Sequence, residues 1–85
     1  MGLVAEVKDK GDYVVFRGVY EGRSGKDAQA AQARLAAYMK DSGYKIQGQL
    51  VPDGSELAFN LKIPKTFPDV QKEVQGMRKL MESGK

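Results

Sequence analysis

The chain of 85 residues carries 14 basic and 11 acidic side chains, for a formal net charge of +3, and has neither cysteine nor histidine. A chain of this length supports one modest core, so residues 1–85 are expected to form a single domain. Disulfides, thiolate chemistry and the commonest metal ligands are excluded, and we expect no metal and no other cofactor. No apolar run approaches the ~20 residues of a membrane span and no secretory signal is evident, so we expect a cytoplasmic protein with no membrane contact.

The first predicted element is a β-hairpin, with strands over residues 3–8 and 13–20 and a four-residue turn between them. This turn would place Lys8 opposite Tyr13. Alternation then directs Phe16 and its inward neighbours to the core. The outward face combines Val4, Glu6, Lys8, Tyr13, Val15, Arg17 and Val19. That face is more apolar than a solvated face should be.

A helix is predicted over residues 24–43. Ser24 and Asp27 form a capping box at its start, and Gly43 supplies the left-handed residue that ends it. Alanines dominate the segment, with Leu35 and other larger side chains at helical spacing on one face only. This helix is therefore expected to pack against the sheet.

A second hairpin and a second helix are predicted to follow. The strands cover residues 44–51 and 56–63 around a turn that begins at Pro52, which would pair Val51 with Glu56. The helix begins with a capping box of Thr66 and Asp69, ends at Ser83 and Gly84, and carries Gly76 on its outer face.

These elements predict an α+β fold of order ββαββα, a two-layer sandwich with a four-stranded sheet and two helices on one face. The first five elements resemble a protein G-like β-grasp module in order and length, which implies that the second strand lies at a sheet edge. Gly18 and Gly48 are expected on the helix side, where they let a helix approach. Landmarks recur over 3–43 and 44–85, by duplication of a ββα unit or by convergent use of the same turns and caps.

Candidate chemistry is sparse. Gly22 to Asp27 only superficially resembles a phosphate-binding loop, because no Ser or Thr follows Lys26, which leaves a generic anion site flanked by Arg23 and Lys26. The carboxylate pairs Asp9 with Asp12 and Asp69 with Glu73 suit turns and helix starts. Nothing in their sequence context separates an acid from a base, so we expect no catalytic residue and no enzyme.

Two functions fit the outward sheet face. The first is a non-enzymatic interaction module, of the kind found among phage or mobile-element accessory proteins, which docks on a partner macromolecule or on its own copy. The second is a nucleic-acid binder that uses Tyr13, Arg17, Lys45 and Lys62 on this face, with Arg23 and Lys26 as further phosphate contacts.

An apolar second strand at a sheet edge would need a cover, because exposed edges invite pairing. Either the strand is central, or another chain covers it. We therefore predict a homodimer, by pairing of sheet faces or of second strands, through an interaction patch of Val4, Tyr13, Val15, Arg17 and Val19. The alternative is a monomer that keeps this patch for an unknown protein partner.

Overall fold

The computed structural model describes residues 2–82 and has the predicted order ββαββα. The elements are β1 (Gly2–Asp9), β2 (Tyr13–Glu21), α1 (Gly25–Asp41), β3 (Gln47–Asp53), β4 (Glu56–Pro64) and α2 (Val70–Glu82). The four strands form one antiparallel sheet in the order β1-β2-β4-β3. Both helices pack on one face of it, which confirms the two-layer α+β fold.

The strand order corrects the β-grasp expectation for β2. That strand lies in the centre of the sheet, between β1 and β4, and the edges are β1 and β3. Its backbone groups are paired on both sides, so its apolar character needs no further chain to cover an edge. The outward face of β2 nevertheless stays uncovered by the helices.

Both hairpins turn more tightly than the sequence analysis expected. The Lys10 N–H donates to the Tyr13 carbonyl at 2.9 Å, which leaves Gly11 and Asp12 as a two-residue turn. Gly54 and Ser55 form the equivalent turn of the second hairpin, and each turn begins with a glycine of positive φ, 97° and 61°. Each register is therefore shifted by two residues, and Lys8 pairs with Val15 rather than with Tyr13.

The covered face of the sheet carries the core. A shift of two residues changes partners but not faces, so the predicted inward residues within the paired strands keep their face. The prediction for Tyr44 is wrong, because β3 begins at Gln47 and Tyr44 is 62% exposed. Among residues 2–82, fourteen apolar residues are buried: Val14, Phe16, Tyr20, Ala28, Ala31, Leu35, Ile46, Leu57, Phe59, Leu61, Ile63, Val74, Met77 and Met81. The rings of Phe16 and Phe59 meet at its centre, with centroids 4.9 Å apart. Burial of this one face stabilises the sheet and both helices together.

Helix α1 ends as predicted but begins differently. Gly43 follows the helix with a φ of 72°, and the Tyr44 N–H reaches the Met39 carbonyl at 3.1 Å, which forms a Schellman motif. At the start, the Ser24 side chain makes no capping hydrogen bond. The Asp27 carboxylate instead accepts from the Arg23 backbone N–H at 2.8 Å, so the predicted capping box is replaced by a bond one residue earlier.

Helix α2 begins at Val70, three residues later than predicted, and its predicted end at Ser83 and Gly84 lies outside the described residues. Asp69 is its first capping residue, because the Asp69 Oδ1 accepts from the Lys72 N–H at 3.1 Å. The predicted Thr66 box is wrong. Residues 65–68 form a turn in which the Phe67 N–H donates to the Pro64 carbonyl at 3.3 Å.

Two glycines in the strands serve strand packing rather than helix packing. A Cβ on Gly18 would overlap the Val4 carbonyl and lie 2.7 Å from the Ala5 Cα. Gly48 is exposed and has a φ of 149°, and its Cβ would overlap the Asn60 carbonyl. Gly18 pairs with Ala5 and Phe59, and Gly48 with Leu61, so both glycines occupy inward register positions as predicted. The expected reason, close approach of a helix, is wrong. The neighbouring strand backbone occupies the space.

Gly76 lies at the helix–helix contact and not on an outer face. A Cβ there would be 3.2 Å from the Tyr38 hydroxyl of α1. That hydroxyl donates to the Glu73 Oε1 at 2.6 Å, one turn earlier on α2. Because Gly76 has no side chain, the tyrosine reaches its acceptor across the contact.

Candidate docking face

The face of the sheet opposite the helices is open, and its side chains form rows that run across all four strands. The paired registers define each row from β1 to β3. The basic row is Lys8, Val15, Lys62 and Gln47; the polar row is Glu6, Arg17, Asn60 and Gln49; the valine row is Val4, Val19, Ala58 and Val51; the acidic row is Gly2, Glu21, Glu56 and Asp53. Successive rows are about 7 Å apart, two residues along each strand.

The valine row is the main apolar feature of this face. Val4, Val19 and Val51 are 80%, 38% and 52% exposed, and Ala58 between them is also exposed. Three of the four large hydrophobic side chains that stand exposed among residues 2–82 therefore belong to this one row. A contiguous apolar strip bounded by polar rows is typical of an interaction surface, whereas scattered apolar residues are not.

The polar row borders the valine row and contains an ion pair. Arg17 Nε lies 3.0 Å from Glu6 Oε2, and both side chains are about half exposed. A groove of about 460 Å³ opens between these two rows, and its lining includes Val4, Arg17, Val19 and Asn60. The β1–β2 half of the valine row and the ion pair therefore line one shallow depression.

The structure divides the predicted interaction patch. Val4 and Val19 lie side by side in the valine row. Arg17 separates them from Val15, which stands half-buried between Lys8 and Lys62. Tyr13 lies beyond the basic row, at the far end of β2.

The residues of the proposed nucleic-acid surface have partners within the chain. Lys62 Nζ stands 4.2 Å from the centroid of the Tyr13 ring, and Arg17 is paired with Glu6. Lys45 is exposed but precedes β3. The same face also carries the acidic row, which disfavours a phosphate backbone laid across the whole sheet.

The predicted anion site at the start of α1 holds a carboxylate of its own chain. Asp27 Oδ2 accepts from the Arg23 backbone N–H at 2.8 Å and lies 3.4 Å from Arg23 Nε. These hydrogen bonds, with the Arg23 charge, lower the pKa of Asp27 below its ordinary value. Asp27 thus holds Arg23, while Lys26 is exposed on the first turn.

The carboxylates weighed as catalytic candidates have structural contacts. Asp9 is paired with Lys65, whose Nζ lies 2.7 Å from both carboxylate oxygens, and it accepts from the Gly11 N–H at 2.8 Å. The Lys65 contact is the main reason that the pKa of Asp9 is lowered. Asp69 caps α2 and Glu73 accepts from Tyr38, so these two side chains have separate tasks. Asp12 is exposed in the first turn.

Sequence reasoning missed two members of the valine row, Val51 and Ala58. Alternation had placed Ala58 outward, but the register that it assumed put Val51 opposite Glu56 instead of Ala58. The dipeptides Gly11-Asp12 and Gly54-Ser55 were the available signal, since a leading glycine is typical of two-residue hairpin turns. The Asp9–Lys65 pair had no comparable local signal.

Among residues 2–82, no three acidic side chains are grouped so that they could hold a metal ion. Neither helix in that part of the chain is long and apolar enough to cross a membrane. Comparison with protein families, with curated proteins and with solved structures gives no significant match.

Proposed function

We propose that this protein is a non-enzymatic, cytoplasmic interaction module that docks on another macromolecular surface through the open face of its sheet. The observation that supports the proposal is the exposed valine row, which crosses all four strands between a polar and an acidic row. Apolar area removed from water on docking supplies affinity at roughly 25 cal/mol per Å² before the costs of association. The charged rows on either side would set the orientation of the partner.

The carboxylate contacts support the non-enzymatic part of the proposal. Asp9, Asp69 and Glu73 each serve an ion pair, a helix cap or a helix–helix hydrogen bond. Alanine substitution of these three residues and of Asp12 should leave biological activity within a few-fold of wild type once stability is matched. Loss of activity in one such variant that remains fully folded would point to a catalytic role instead.

The docking part is tested with lysine variants in the native host. Val4→Lys places a charge in the valine row at a position that is 80% exposed, so the fold should tolerate it. Ala33→Lys is the matched control, because it adds the same side chain on the exposed side of α1. Tagged wild type and tagged Ala33→Lys should both retain a bound protein, and an untagged copy of this chain counts as such a protein. Tagged Val4→Lys should lose it.

The salt dependence of binding separates the two functions. Docking through the valine row should persist from about 0.1 M to about 1 M salt, whereas binding to nucleic acid weakens steeply because counterions are released. The nucleic-acid function would be favoured if wild type retains nucleic acid at low salt and loses it at high salt. The double variant Lys45→Ala with Lys62→Ala should then fail to retain nucleic acid at low salt as well. Recovery of the same macromolecules by wild type, Val4→Lys and Ala33→Lys would show that the open face is not a docking surface.

A further inference from the structure

The open face is complementary to itself, and this property identifies one occupant. Two sheets that pack face to face keep their strand directions within about 30°, so a symmetric pair has two choices of twofold axis. The axis lies in the plane between the sheets, and it runs either across the strands or along them. The charged rows distinguish these two arrangements.

We propose that a second copy of the chain covers this face, with the twofold axis running across the strands along the valine row. This proposal rests on the proposed function and specifies its partner. Each member of the valine row then meets its own counterpart, and the polar row of each copy lies over the acidic row of the other.

The row contents match in this arrangement, strand by strand. On β2 and β4, Arg17 lies over Glu21 of the second copy, and Asn60 lies over Glu56. On β3, Gln49 lies over Asp53. Every carboxylate of the acidic row thus meets a hydrogen-bond donor.

The first strand completes the match. Glu6 is the one acid of the polar row, and it lies over Gly2, which has no side chain. Glu6 therefore meets no carboxylate of the second copy and can keep its ion pair with Arg17.

The other axis gives a poor match. A twofold axis along the strands places β2 over β4 and each row over itself. Glu21 would then face Glu56 of the other copy in an interface from which water is excluded. The basic row would also lie over itself, but with Lys8 over Gln47 and Lys62 over Val15, so no like charges meet there. The facing carboxylates of the acidic row disfavour that association.

The overlapping area supports a weak dimer. The axis along the valine row brings three rows of each copy together and leaves the basic row outside the overlap. Four strands about 4.8 Å apart over about six residues span roughly 380 Å² per copy. Two copies would bury about 760 Å², below the range of standard interfaces, so association is expected at high micromolar concentration.

Light scattering and sedimentation from about 1 µM to about 500 µM test the second copy. Wild type and Ala33→Lys should shift from monomer to dimer over this range, and Val4→Lys should raise the Kd at least about 100-fold. Val51→Lys, at the opposite edge of the row, is a second variant in case one does not fold. Wild type that stays monomeric, or Val4→Lys and Val51→Lys that fold and still dimerise, would overturn the proposal.

A charge exchange tests the axis. Asn60→Glu should weaken the dimer about tenfold, because the new carboxylate meets Glu56 of the other copy. Adding Glu56→Lys in the same chain should restore it. Under the axis along the strands, Asn60 faces Arg17, so Asn60→Glu would tighten the dimer, and that result would overturn the proposed arrangement.

Single cysteines give an independent test, since the chain has none of its own. Val4→Cys should be bridged to itself by a bis-maleimide reagent about 10 Å long, close to the spacing of packed sheets. The other axis would bring Val4 to Val51, so bridging only in a mixture of Val4→Cys and Val51→Cys would contradict the proposal.

The failures of the two proposals are distinguishable. A monomeric wild type excludes the second copy, but the proposed function survives if Val4→Lys still loses a host protein that Ala33→Lys retains. If neither variant changes what is bound, the docking function fails as well.

Discussion

The two faces of the sheet are built from the same strands and differ in what stabilises them. The covered face is apolar almost throughout, and residues such as Phe16, Leu57 and Leu61 are 0% exposed. The open face alternates apolar, polar and charged rows and contains no buried side chain among residues 2–82. Burial is insensitive to the partner of each residue, whereas the rows exist only in one register. The covered face therefore determines the fold, and the open face determines what the fold can bind.

Apolar truncation should separate the two faces most strongly. Leu61→Ala removes a fully buried side chain and should lower the free energy of unfolding by about 2–5 kcal/mol. Val51→Ala, also apolar but 52% exposed, should change it by less than about 0.5 kcal/mol. Urea unfolding at low micromolar concentration, where association contributes little, measures both. Equal losses would show that the open face is covered even in the monomer.

Gly48 tests the edge of the covered face. An alanine there must adopt a φ of 149° and overlap the Asn60 carbonyl, so Gly48→Ala should destabilise the protein by about 1–3 kcal/mol. Gly2→Ala is the matched control on the other edge strand, since a Cβ at Gly2 meets nothing within 4 Å. Thermal unfolding compares the two. Similar melting temperatures would mean that β3 can shift away from β4 without loss.

The same contrast explains what could be predicted from the sequence. Hydrophobic alternation has a period of two, so it assigns each residue to a face and is unaffected by a two-residue shift. The core residues and the element order were predicted for that reason. The strand order was not, because long-range pairing leaves no local pattern, and β2 was expected at an edge rather than in the centre.

The candidate site depended on the register, and there the sequence reasoning was less successful. In the expected register Val4 stands opposite Arg17 and Glu6 opposite Val15. In the structure Val4 pairs with Val19, and Glu6 pairs with Arg17. The opposite charges of Glu6 and Arg17 were visible in the sequence, but Pro52 and the acidic turn residues favoured longer turns, which do not pair these two residues. The valine row is therefore a finding of the structure.

The hydrogen bond from the Tyr38 hydroxyl of α1 to Glu73 of α2 gives a smaller effect with a defined pH dependence. Burial, with the hydrogen bond to Glu73, raises the pKa of Tyr38 to about 12 from an ordinary value of 10.0. Tyr38→Phe should lower stability by about 1–2 kcal/mol at neutral pH.

The pH window follows from the direction of the Tyr38 pKa shift. Above pH 10 the unfolded chain loses the tyrosine proton while the folded chain keeps it, so the contribution of Tyr38 is complete below pH 10 and is lost as pH rises toward 12. The stability difference between wild type and Tyr38→Phe should therefore shrink from about pH 9 to about pH 12. A constant difference would show that Tyr38 titrates equally in both states.

The smallest expected effect is the ion pair of the open face, and it tests the register directly. Glu6 and Arg17 are about half exposed, so their coupling in a double-mutant cycle should be about 0.2–1 kcal/mol and should decrease with salt. Glu6→Gln and Arg17→Gln, alone and combined, supply the cycle. Arg17 with Asp53, two strands away in the acidic row, is the control pair and should show no coupling. In the register expected from longer turns Glu6 would face Val15 and Arg17 would be only its diagonal neighbour, so the Glu6–Arg17 coupling would be weaker. Because every row of the open face follows from the same register, this small coupling decides whether a valine row exists to be covered.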